Sequence, residues 1–98
     1  MIYTSGIWNA KVGEEQEFQR LWQASVDQFA PDLSGVVFRL LRDVEAPNRF
    51  VSFSGPWRSV EQVNEVRSSA AFQESMAAAA EVLEGFEIST YEVVAEVS

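Results

Sequence analysis

The 98 residues contain neither His nor Cys. The commonest general base, the commonest neutral metal ligand and the thiolate nucleophile are therefore all missing. A serine nucleophile would have no imidazole beside it to take its proton. The fifteen Asp and Glu residues fall at helix starts, in loops and at strand ends, a scatter that does not suit a metal cage. Gly6, Gly13, Gly35, Gly55 and Gly85 stand apart from one another, so there is no glycine-rich phosphate loop. Nothing points to a nucleotide, flavin or haem. No cofactor is expected.

The remaining chemistry is aromatic. Trp8, Trp22, Trp57, Phe38, Phe53, Phe72, Met76, Tyr3 and Tyr91 can surround a flat apolar ligand, because ligand pockets are mostly apolar with a few placed polar groups. Taken singly, Trp22, Phe72 and Met76 read first as core. Trp57, beside Gly55-Pro56, is either a plug at the sheet edge or a gate. Arg39 stands out between Phe38 and Leu40. A lone buried charge is costly, so it must pair with a carboxylate such as Glu92 or Asp43, reach solvent, or meet an anionic ligand.

The elements that position these groups follow from spacing. Ile2 to Asn9 reads as a strand. Glu14, Glu15 and Glu17 open a helix, where negative charge meets the positive end of the dipole. Phe18, Leu21, Trp22, Ser25, Val26 and Phe29 then recur at i, i+3, i+4, i+7, and Pro31 is expected to stop the helix. After the Leu33-Ser34-Gly35 turn come a strand from Val36 to Leu41, a polar loop, and a strand from Arg49 towards Trp57, which Gly55-Pro56 is expected to end. Ser59 and Gln62 form a capping box for a helix with Val60, Val63 and Val66 on its buried face. Ser68-Ser69 starts another, carrying Phe72, Met76, Ala79, Ala80 and Leu83, with Gly85 as its expected C-terminal cap. Ile88 to Val97 closes the chain as a strand.

The order β-α-β-β-α(α)-β predicts an α+β domain over residues 1–98, with a four-stranded antiparallel sheet, helices on one face and ferredoxin-like topology. The formal charge of −8 with only seven basic residues argues against nucleic acid or anionic lipid as partners. No apolar run approaches the ~20 residues of a membrane span, and no leader pattern opens the chain, so a cytoplasmic protein is expected.

Alternation of apolar and polar residues is weak in the second and third strands: Val36, Val37, Phe38, Leu40, Leu41 and then Phe50, Val51, Phe53 occupy both faces. Helices cover one side of such a sheet. A second copy stacked on the other side would hide the rest; alternatively the tail or the Arg42–Asn48 loop folds over it.

The stretch from Phe50 to Phe72 (F-V-S-F-S-G-P-W-R-S-V-E-Q-V-N-E-V-R-S-S-A-A-F), with the closing T-Y-E-V-V-A-E-V, resembles the antibiotic-biosynthesis monooxygenase family. The resemblance implies a homodimer whose sheets face each other as a dimeric α+β barrel. It also implies either cofactor-free oxygenation of quinols and polyphenols or haem degradation. The haem-degrading branch uses an Asn, a Trp and a His at positions that read Gly6, Val66 and Met76 here, which disfavours that activity. Two functions follow: a cofactor-independent monooxygenase of a polycyclic phenol or quinol, or a non-catalytic dimeric module for a hydrophobic small molecule or partner protein. The residues expected to line the site are Gly6, Trp8, Trp22, Arg39, Phe53, Trp57, Val66, Phe72 and Met76.

Overall fold

A computed structural model describes residues Met1 to Ser98. The elements are β1 (Ile2–Ala10), α1 (Glu15–Phe29), a 3-10 turn (Ala30–Asp32), β2 (Val37–Arg42), β3 (Arg49–Trp57), α2 (Val60–Ser68), α3 (Ala70–Ala80) and β4 (Leu83–Glu92). The sheet runs β2-β3-β1-β4 with every pairing antiparallel, the ferredoxin-like order that the sequence predicts. No helix is long and apolar enough to cross a membrane.

The two faces of the sheet differ. On β1 the alternate residues Thr4, Gly6, Trp8 and Ala10 are buried beneath the helices. Their neighbours across the ladders, Phe50, Ser52 and Ser54 on β3 and Phe86, Ile88 and Thr90 on β4, share that face by the period of two. The opposite face presents Tyr3, Ile7, Val37, Arg39, Leu41, Val51, Phe53 and Tyr91. No helix covers it, and Val37 at 53% and Phe53 at 47% stay exposed.

The helix-side core is divided. One cluster joins Trp8, Ala10, Phe18, Phe50, Ala79 and Leu83, with the Phe18 ring tilted against both Trp8 and Phe50 at ring distances of 5.5 and 5.2 Å. A second joins Leu33, Trp57 and Val63.

Several boundaries differ from those the spacing predicts. α1 does end at Phe29, just before Pro31, but Ala30 stays right-handed instead of being pushed out of the helical region, and the chain tightens into the 3-10 turn that holds Pro31. Gly85 is not a helix cap. It lies inside β4 opposite Asn9, because Lys11 N–H bonds the Val82 carbonyl and draws the chain into the sheet at once. Pairing with β1 then ends at Glu92, so β4 begins and ends about five residues before the predicted strand. Val60 and Ala80 face outward rather than inward. Ser59 caps α2 by accepting from Gln62 N–H, but the returning Gln62 side chain accepts from Arg58 N–H instead of Ser59.

Gly6 is where β1 admits an indole. A Cβ there would lie 2.5 Å from three atoms of the Trp8 ring, which lies across the glycine. Gly6→Ala is therefore expected to cost about 1–3 kcal/mol, as overpacked cores do. Chemical denaturation of the two proteins measures this directly.

Candidate functional site

The gap between the two core clusters is a cavity of about 120 Å³, partly open to solvent. Its wall on α1 is the predicted stripe: Phe18, Leu21, Trp22, Ser25, Val26 and Phe29 all line it. Val63, Val66 and Arg67 come from α2, and Phe72, Ser75, Met76 and Ala79 from α3. The floor is the sheet, through Trp8, Phe38, Ser52, Trp57 and Ile88.

Trp57 reaches this floor through an irregularity. Ile2 pairs with Trp57 and Thr4 with Ser54, so Gly55 and Pro56 oppose the single residue Tyr3. One extra residue forms a bulge and flips every side chain after it to the other face. Phe50, Ser52 and Ser54 face the helices on even numbers; Trp57 does so on an odd one. The glycine-proline pair thus does not end β3. It re-aims the tryptophan from the open face into the cavity, and the missing proline N–H leaves no gap in a regular ladder. Gly55, at φ +155°, also has the Tyr3 ring where a side chain would go.

Both floor tryptophans have their polar atom satisfied by the sheet. Trp8 Nε1–H donates to Ser52 Oγ at 3.0 Å, and Trp57 Nε1–H donates to Thr4 Oγ1 and to the Ser54 carbonyl, each at 3.1 Å. Phe38 meets Trp57 edge-on at 6.0 Å, and Phe72 tilts against Phe29 at 6.2 Å. The indoles are thereby locked, presenting flat apolar faces to the space between them.

Six of the nine expected residues come together here: Trp8, Trp22, Trp57, Val66, Phe72 and Met76. Gly6 lies beneath the Trp8 indole and lends the floor its backbone only. Arg39 and Phe53 do not join them. They pair with each other on the open face, in a shallow depression with Tyr3 and Val37. Arg39 is exposed there and has no carboxylate partner: Asp43 is 3.5 Å from Arg49 instead, and bonds the Glu45 and Ala46 amides that hold its own carboxyl below the usual range. Tyr91 is on the same open face, where hydrogen bonds with the Ser5 and Ser89 hydroxyls lower its phenol pKa.

Spacing alone does not single out Arg67, the one charged residue lining the cavity. Its neighbours Glu65 and Ser68 are exposed, so the segment reads as a polar helix face; the available signal is its place beside Val66 and four residues after Val63. No Asp, Glu or Tyr lines the space. It can bind, exclude water and stabilise an anion, but it offers no carboxylate or phenol for proton transfer.

Neither a protein-family model nor a curated protein matches the chain. Solved structures do. A candidate antibiotic biosynthesis monooxygenase from Deinococcus radiodurans superposes with a TM-score of 0.86 at 13% identity, over 100% of this chain and 97% of that one. SnoaB, a cofactor-independent oxygenase from Streptomyces nogalater, gives 0.85 at 16% identity, over 98% and 95%. A candidate antibiotic biosynthesis monooxygenase from Bordetella bronchiseptica gives 0.79 at 23% identity, over 96% and 97%. The chain has their fold.

The tryptophan anchors are separable by mutation. Ser52→Ala leaves a buried indole N–H without a partner and is expected to cost about 1–3 kcal/mol. Thr4→Val is expected to cost less than half of that, because the Ser54 carbonyl still accepts from Trp57. Thermal or urea unfolding of both variants checks the order.

Proposed function

We propose that residues 1–98 form one domain of the antibiotic-biosynthesis monooxygenase family, acting in the cytoplasm as a cofactor-independent oxygenase on an electron-rich phenol or quinol. The observation that carries this is the indole-walled cavity between helices and sheet, in a fold shared with a cofactor-independent oxygenase. An engineered cavity of about 150 Å³ holds one benzene ring, so about 120 Å³ suits a single ring. Additional rings of a polycyclic substrate would lie in the open mouth.

The chemistry asks little of the protein. A quinol gives up the electrons itself: one atom of dioxygen enters the ring, the other leaves as water, and the product is the hydroxyquinone. Trp8, Trp22, Trp57 and Phe72 would hold the ring and keep water from the reacting carbon. A fixed positive group would favour the electron-rich anion. Arg39, exposed on the far face, is not placed to serve.

A second copy closing over the open face supports the same assembly. Val37, Leu41, Phe53 and Tyr91 are about half exposed there, on β2, β3 and β4 around Arg39, and monomers rarely leave large apolar patches in water. A homodimer through the sheet face hides it without touching the cavity side.

The alternative is a dimeric module that binds a hydrophobic small molecule without turnover, favoured by the lack of any proton-transfer carboxylate in the cavity. Metal-free protein with 1,4-dihydroxynaphthalene under labelled dioxygen separates the two. The oxygenase is expected to consume one dioxygen per quinol and to place one labelled atom in the product. Saturable binding with only the uncatalysed, peroxide-forming oxidation would establish the binding module instead.

A further inference from the structure

The ion pairs of this chain are Arg20–Glu17 and Arg49–Asp43, both at the surface. Arg67 has none. It is half-buried at the wall of an otherwise uncharged cavity, and its guanidinium is fixed from behind. Nη1–H donates to Thr90 Oγ1 at 2.8 Å and Nη2–H to the Ser89 carbonyl at 3.1 Å. A guanidinium carries five N–H donors, so three make no bond within the protein. Burial pushes its pKa below the usual arginine value with no carboxylate opposing the shift, yet an arginine stays charged at neutral pH.

A half-buried cation without a counter-charge is unfavourable, and here it is oriented by two neutral acceptors instead of being neutralised. The chain as a whole carries a net charge of −8, which disfavours anions over most of the surface. A built-in positive group facing a ring-sized apolar space is the arrangement that reverses this at one place. We infer that Arg67 is the anion anchor of the cavity, and that its ligand is one aromatic ring bearing a negatively charged oxygen at the Ser89–Thr90 end. This rests on the reading that the cavity takes an aromatic ligand.

Benzoate and benzamide, equal in shape and different in charge, are the probes, titrated into isotope-labelled full-length protein and followed by amide NMR. Wild type is expected to bind benzoate at least about tenfold more tightly than benzamide, as charge-assisted hydrogen bonds allow. The largest shifts are expected at Arg67 and at Ile88 to Thr90. Arg67→Met should bring benzoate down to the benzamide level and leave benzamide within about twofold. Arg67→Lys should recover part of the loss, since an ammonium keeps the charge but not the fork. Thr90→Val, which frees one of the two bonds holding the guanidinium, should weaken benzoate alone, by a smaller factor.

The amide spectrum of each variant reports its folding; should Arg67→Met unfold, Arg67→Lys and Thr90→Val still decide. Benzamide binding with no preference for benzoate would overturn the anchor and leave the cavity reading standing. So would benzoate affinity indifferent to these substitutions, or shifts mapping to the Arg39 face. If neither probe binds, both readings fall.

Discussion

Three short helices can cover only one face of a four-stranded sheet. Most of what distinguishes this chain follows from that geometric limit. On the covered side, α1, α2 and α3 close the core in two places, around Phe18 and around Val63, and leave a gap between them. On the uncovered side, apolar residues that would suit an interior are left half in water. The same sheet thus supplies the floor of a cavity on one side and a bare, partly apolar face on the other.

The floor is rigid because its two indoles are held at both ends. Trp8 lies over a residue with no side chain and donates to Ser52; Trp57 donates to Thr4 and Ser54. Each buried N–H thereby avoids the desolvation penalty that an unpaired donor would carry. Without such partners an indole this close to an open space would turn to find water. Small residues at Gly6, Ser52 and Thr4 are what allow large ones at Trp8 and Trp57.

Much of this is legible in the residues, and the exceptions have physical causes. The α1 stripe is plain because fifteen residues repeat the helical period four times over, and every member reaches the cavity wall. The end of the chain is not, because the valine-rich Val93 to Val97 suits a strand as well as Leu83 to Glu92 does; only the length of β1 decides which of them pairs. Arg39 is conspicuous in sequence for its apolar neighbours, yet strand alternation sends it away from them. Arg67 is inconspicuous for the opposite reason: Glu65 and Ser68 on either side of the Val66-Arg67 pair are polar and exposed, while Val63, one helical turn back, is buried. Trp57 needed the bulge to be recognised, and Gly55-Pro56 was the sign of it.

The two sides of the sheet are proposed to divide the work, with a ring held under the helices and a twin molecule against the bare strands. On this proposal the bare face would drive association whether or not the cavity is filled. Sedimentation equilibrium of the full chain at micromolar concentration, without ligand, tests it most directly. The expected mass is twice the chain mass of 11.0 kDa. A single-chain mass, with Phe53 and Val37 still in water, would contradict it.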